Sequence, residues 1–230
     1  MGARLEYAGD VSVGPMIGIY GGTFDPIHFG HLRPALDILE GLGLEQVRLV
    51  PLNVAVHRPQ PIAPAVARLT MLELAIQAQP GFVVDSRELD REGRSYSYDT
   101  LVSLRRDLGA ERPLCLMIGA DAYRGFLDWH RPLDILGLAH LVVMRRPGHE
   151  VVAGARLRHL YLERGSDSPA ELASAPGGRI LIQEVTQLEI SSTRIRDLVA
   201  RGLSPRYLLP DAVLKLITDE SLYRSSATDA

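Results

Sequence analysis

Two rhythms of apolar residues alternate along this chain. Short apolar runs with no polar face occupy residues 16–20, 46–52, 82–85, 114–118, 140–144 and 180–185. Between them apolar residues recur at helical spacing: Leu32, Leu36 and Leu39, then Leu69, Leu72 and Ile76, then Leu101, Leu104 and Leu108, and finally Val213, Leu216 and Ile217. The runs predict buried strands and the spaced positions predict amphipathic helices. The first helix is expected after His31, with Pro34 tolerated in its first turn and Gly41 and Gly43 as its stop. Further helices are expected over residues 66–79, 98–108 and 156–163. Another opens at Ile190-Ser191-Ser192-Thr193 and is closed by Gly202, and a last one is capped by Asp211. Residues 121–138 mix short helix and turn. Residues 148–178, rich in Gly, Ser, Pro and Ala, promise little beyond one helix.

Strands that are apolar on both faces and alternate with helices predict a Rossmann-like α/β fold, a parallel sheet with helices on both faces. No repeat or boundary divides it, so one domain is expected over residues 15–224, between a flexible leader (1–14) and a tail (225–230). Ligands in such sheets sit beyond the carboxyl ends of the strands. The polar clusters at residues 21–31 and 119–121 and at Arg145-Arg146 all follow strands.

Composition narrows the partners. The net charge of −3 makes no electrostatic case for nucleic acid, but leaves room for a local anion site. No apolar run reaches membrane-spanning length, and no apolar segment of signal-peptide type precedes Gly14, so no membrane partner is expected. The single cysteine, Cys115, lies in an apolar run and has no internal partner, which points to a reducing, cytoplasmic compartment. Lys215 is the only lysine, which excludes a mechanism that needs one in mid-chain.

Two clusters carry chemistry. The first is Gly21-Gly22-Thr23-Phe24, followed by His28-Phe29-Gly30-His31. It is neither a Walker A loop nor G-x-G-x-x-G. Two glycines at a strand end let a ligand approach the backbone, and histidines three apart at a helix entrance share a face. Gly30 between them is expected to leave room for a ligand. No third ligand or H-E-x-x-H accompanies the histidines, so no metal site is expected. The second cluster is Ser191-Ser192-Thr193-Arg194-Ile195-Arg196, whose hydroxyls, helix-start N–H groups and arginines make an anion cradle. Arg196 lies three residues after Thr193 and faces the same ligand, whereas Arg194 faces solvent.

Together these clusters resemble the nucleotidyltransferase superfamily that carries H-x-G-H early and I-S-S-T-x-I-R late. Within it, residues 17–224 are similar to the bacterial nicotinate-mononucleotide adenylyltransferases. The likeness rests on Gly21-Gly22-Thr23-Phe24-Asp25-Pro26, His57-Arg58-Pro59, Ser95-Tyr96-Ser97, Asp99-Thr100-Leu101, Ile118-Gly119-Ala120-Asp121, Trp129 and Arg146-Pro147-Gly148. The chain departs from the family in having Ser97 in place of a frequent Thr, and Ala55-Val56-His57-Arg58 in place of Pro-Pro-His-Lys.

The resemblance implies ATP and nicotinate mononucleotide as substrates, with Mg²⁺ carried by the ATP phosphates. It implies phosphate contacts from Gly21, Gly22, Thr23, Phe24, His28, His31, Ser192, Thr193 and Arg196, with His28, His31 and Arg196 catalytic. Gly119 and Asp121 would meet the adenosine. Ser97 and Trp129 would line the nicotinate pocket, Arg146 would meet the mononucleotide phosphate, and His57 and Arg58 would add positive potential. By their residues alone, Trp129 is equally a core aromatic, Asp121 a helix cap and Arg145-Arg146 a solvated pair. The rival functions are a pantetheine-phosphate adenylyltransferase, against which Trp129 and Ser95-Tyr96-Ser97 count, and a non-catalytic nucleotide-binding module. A class I aminoacyl-tRNA synthetase is the third rival, against which counts a late signature loop that needs lysine where this chain has only Lys215. Oligomeric state is not legible.

Overall fold

The structure, a computed structural model, describes residues 15–54, 59–149, 151 and 154–224. The expected leader and tail, and the pair His57 and Arg58, lie outside the described residues. The elements are, in order, β1 (Ile17–Gly22), α1 (Phe29–Gly41), β2 (Gln46–Pro51), α2 (Ala65–Ile76), β3 (Phe82–Val84), α3 (Ser97–Leu108), β4 (Leu114–Gly119) and α4 (Ala120–Arg124). A 3-10 turn (Phe126–Asp128) follows, then α5 (Pro132–Leu138), β5 (His140–Arg145), α6 (Ala155–Arg164), β6 (Gly165–Ser166), α7 (Pro169–Ala173), β7 (Ile180–Glu184), α8 (Ser192–Ala200) and α9 (Asp211–Asp219).

The strands form one sheet in the order β3-β2-β1-β4-β5-β7-β6, with every pairing parallel. Successive strand residues face opposite sides. Along β4, Cys115 and Met117 enter one core while Leu114, Leu116 and Ile118 enter the other. Along β5, Val142 and Met144 alternate with Leu141 and Val143 in the same way. Ile38 of α1, Met71 and Leu72 of α2, Ile195 of α8 and Ile217 of α9 close the first core. Leu101 and Leu104 of α3, Tyr123 of α4, Ile135 of α5 and Leu157 of α6 close the second. This is the expected Rossmann-like arrangement, and it explains why the strand runs carry no polar face.

Three expectations need correcting. Helix α1 begins at Phe29, capped by the extended backbone of His28, so Pro34 lies inside the helix rather than in its first turn. Pro34 has no N–H to give to the Gly30 carbonyl, and burial of its ring offsets part of that loss. The apolar stripe starts at Leu32, but the helical backbone starts earlier. Asp211 is the first residue of α9, and Pro210 is its cap. Residues 148–178 contain β6 and α7 as well as the expected helix. β6 is two residues long and owes its existence to pairing with Ile180 and Leu181, which no local apolar run announces.

The sheet order reverses direction between β1 and β4, the first strands of its two halves. The crevice beyond their carboxyl ends is where such sheets bind ligands. Gly21 and Gly22 end β1, and Gly119 ends β4.

Candidate active site

The turn after β1 is held from below. Phe24 adopts φ 47°, a left-handed conformation unusual for an aromatic residue, and its ring is buried. A Cβ on Gly22 would lie 2.9 Å from that ring, so Gly22 is required by the turn itself. Gly21 has open space on its side-chain face, as a backbone that receives a ligand needs. Arg68 of α2 is buried and donates to the Thr23 carbonyl at 2.9 Å. Burial pulls its pKa below the usual arginine value. Asp25, 2% exposed, accepts the backbone N–H groups of Ile62 at 2.7 Å and Ala63 at 3.1 Å. The Asp25–Pro26 peptide is cis.

His28 and His31 meet as the spacing predicts, with rings stacked 3.8 Å apart and inclined by 27°. His28 is buried, and neither of its ring nitrogens has a hydrogen-bond partner among the described residues. Burial lowers its pKa to about 4, so the ring is neutral at pH 7. His140, also buried, shows what a structural histidine looks like here. Its Nδ1 accepts the Arg179 N–H at 3.1 Å, and its Nε2 donates to the Ala175 carbonyl at 2.8 Å. An unsatisfied buried ring beside a strand-end turn is the stronger candidate for ligand chemistry. Gly30 does not leave room for a ligand as expected. A Cβ there would lie 3.0 Å from the His28 ring and 3.1 Å from the Ile190 carbonyl, so the chain itself uses the space.

The second cluster closes on the first. Ser191 caps α8, accepting the Arg194 N–H at 3.2 Å. The Ser192 hydroxyl donates to the Pro26 carbonyl at 3.0 Å. Arg196 donates to the Asp25 carbonyl at 2.6 Å and to the Thr193 hydroxyl at 3.4 Å. Its guanidinium also lies 3.7 Å from the Asp25 carboxylate. The two motifs, more than 160 residues apart, are thus one contiguous surface. Arg194 is exposed, as expected.

The remaining candidates divide. Ser97 opens α3, and its neighbours Tyr96 and Tyr98 face the loop that carries Trp129. The Tyr96 ring lies 4.6 Å from the His130 ring, and the Arg131 guanidinium lies 4.0 Å over the Tyr98 ring. Trp129 is half-buried, meets the edge of Phe126 at 5.6 Å and packs on the second core, which leaves part of its ring exposed. Gly119 precedes α4 as its extended cap, and Asp121 lies in the first turn, exposed and paired with Arg124, rather than capping the helix. Arg146 is exposed and held by Gln187 at 2.6 Å and Glu189 at 3.0 Å.

Sequence reasoning missed the supports of the site. Asp25, Arg68 and Tyr223 meet beneath the turn, with the Tyr223 hydroxyl donating to Asp25 at 2.6 Å. Buried Glu88, whose pKa burial raises, accepts the Thr100 hydroxyl beside the Ser95-Tyr96-Ser97 segment. No local spacing ties these residues together. Among the described residues, no three His, Cys, Asp or Glu side chains gather as a metal centre, and no helix is long and apolar enough to cross a membrane.

Comparison with known proteins places the chain in a family. The cytidylyltransferase-like family model matches residues 19–198. A Methylococcus capsulatus protein named "Probable nicotinate-nucleotide adenylyltransferase" is 51% identical over 90% of this chain and 99% of its own length. An Aeromonas hydrophila protein of the same name is 45% identical over 91% of this chain and 98% of its own length. In fold, the chain is similar to Plasmodium falciparum nicotinic acid mononucleotide adenylyltransferase complexed with NaAD. The TM-score is 0.66 at 14% identity, over 91% of this chain and 98% of the other. This chain belongs to the cytidylyltransferase-like family and, within it, to the nicotinate-nucleotide adenylyltransferases.

Proposed function

We propose that this protein transfers the adenylyl group of ATP to nicotinate mononucleotide, releasing pyrophosphate and forming nicotinate adenine dinucleotide in NAD biosynthesis. The observation that carries the reading is the meeting of the His28-His31 helix entrance with the Ser192-Thr193-Arg196 helix start at the carboxyl edge of β1. Relatives 41–51% identical bear the corresponding name.

The mononucleotide phosphate is already an anion at neutral pH, so the attack on the α-phosphorus needs neither a strong base nor a protein nucleophile. The O–P bond to the mononucleotide forms as the bond from the α-phosphorus to the pyrophosphate oxygen breaks. The protein aligns the two anions and disperses charge. The open Gly21 backbone and the α8 N–H groups receive the triphosphate. His31 and Arg196 face the transferring phosphate. Buried His28 supplies a neutral ring N–H and keeps the His31 ring in place by stacking. Mg²⁺ would be carried by the ATP phosphates rather than by Asp25, whose carboxylate beneath the turn is already taken up by N–H and O–H donors. Trp129 stacks on the pyridine ring, and Ser97 offers its hydroxyl to the carboxylate. For Arg146 to serve the mononucleotide phosphate, its guanidinium must exchange Glu189 for that anion. A buried free thiol, Cys115, supports a cytoplasmic setting.

Pyrophosphate release with MgATP and three separate acceptors tests the reading. Nicotinate mononucleotide is expected to support turnover well above nicotinamide mononucleotide, and phosphopantetheine none. Turnover with phosphopantetheine alone would assign the rival reaction.

A further inference from the structure

The C-terminal turn reaches back beneath the phosphate site. After α9 the chain passes through Ser221 at φ 53° and Tyr223 at φ 62°, two left-handed residues without a glycine between them. Such backbone persists only where its surroundings hold it. Leu222 and Tyr223 pack on the first core, and the Tyr223 hydroxyl donates to Asp25 Oδ1 at 2.6 Å. The same Oδ1 accepts the Ala63 N–H at 3.1 Å, and Oδ2 accepts the Ile62 N–H at 2.7 Å. The Arg196 guanidinium stands 3.7 Å from Oδ2 and donates to the Asp25 carbonyl at 2.6 Å. Arg68 anchors the adjoining Thr23 carbonyl at 2.9 Å. Asp25 is therefore a buried node at which four segments meet: the β1 turn, the loop before α2, the start of α8 and the C-terminal turn.

A carboxylate so placed has one geometry when all its donors are present. Without the phenol the carboxylate loses the shortest of its three hydrogen bonds, keeps those from Ile62 and Ala63, and is less restrained from turning toward Arg196. A guanidinium drawn onto Asp25 is withdrawn from an anion above it. The half-buried phenol stays protonated, because burial and the carboxylate both push its pKa upward.

We propose that Tyr223 is a positioning residue for the phosphate site: by holding the Asp25 carboxylate, it keeps the Arg196 guanidinium available to the ATP phosphates. This inference rests on the reading of Arg196 as a phosphate ligand.

A double-mutant cycle on the full chain tests it, with MgATP affinity read by calorimetry for wild type, Tyr223→Phe, Arg196→Ala and the double variant. Tyr223→Phe is expected to weaken MgATP binding about tenfold in the wild-type background and less than about twofold in the Arg196→Ala background. Equal losses in both backgrounds, or no loss in either, overturn the proposal. Unchanged affinity in Arg196→Ala alone instead removes the reading of Arg196 as a phosphate ligand, and the proposal with it. Wild type that binds MgATP yet makes no dinucleotide contradicts the proposed function and leaves the cycle informative. Should Tyr223→Phe fail to fold, hydrogen exchange of wild type replaces it. MgATP is expected to slow exchange in the peptide covering Leu222 and Tyr223, by reciprocity of coupling, and no slowing overturns the proposal.

Discussion

The rings of His28 and His31 lie parallel within 27° at 3.8 Å, the first buried with no hydrogen bond among the described residues and the second half-buried. The pair divides two tasks that the H-x-G-H spacing leaves merged. In the proposed mechanism His28 braces the stack and offers a neutral ring N–H, while His31 is the ring that faces the transferring phosphate. His31→Ala is therefore expected to keep the fold and lower kcat by ~10²–10³, the cost of removing one preorganised donor at a developing charge. Steady-state kinetics beside a thermal melt check this, and near wild-type turnover in a folded variant contradicts it.

Burial of His28 has a pH signature. Its folded pKa is about 4 against an ordinary value of 6.5. Between these values the unfolded chain binds more protons than the folded one. Stability therefore rises with pH across the window and levels off above 6.5. The full swing is on the order of 3 kcal/mol. His28→Gln is expected to flatten the dependence between pH 4.5 and 6.5, read by urea unfolding at several pH values. An unchanged slope would show that His28 is not the group responsible.

Gly30→Ala puts a methyl 3.0 Å from the His28 ring and 3.1 Å from the Ile190 carbonyl. The backbone oxygen has little freedom to yield, so a loss of about 1–3 kcal/mol is expected, as for overpacking in a core. The stack shifts with it, so kcat falls as well. A variant as stable and active as wild type would show that α1 and the Ile190 segment move apart easily.

Trp129 serves two surfaces, and its replacement separates them. Trp129→Ala is expected to raise KM for nicotinate mononucleotide roughly 2- to 12-fold, the worth of one aromatic contact, with KM for ATP nearly unchanged. A melt will also report a lower Tm, since the edge contact with Phe126 is lost. Equal changes in both KM values would place the indole outside the nicotinate pocket.

Much of this molecule is legible in its sequence because the signals are local. The run around Val47, Leu49 and Val50 and the spacing of Leu101 and Leu104 report burial directly, and both segments are in the cores. His28 with His31, and Ser192 with Thr193 and Arg196, are short motifs whose spacing sets their geometry at a helix start. What escapes depends on distant partners. Asp25 and Tyr223 are 198 residues apart, and no spacing reports their bond. Arg146 reads as a solvated charge and Asp121 as a helix cap until Glu189 and Arg124 are seen beside them. Gly30 announces a close approach without saying what approaches. The two-residue β6 exists only through its neighbour.

Attack of nicotinate mononucleotide on the α-phosphorus of ATP leaves an isotopic signature. The most direct test is to supply MgATP with mononucleotide whose phosphate oxygens carry ¹⁸O, and to weigh both products by mass spectrometry. The expected products are a nicotinate adenine dinucleotide that retains all the label and unlabelled pyrophosphate. Absence of the dinucleotide, or label in the pyrophosphate, would contradict that attack.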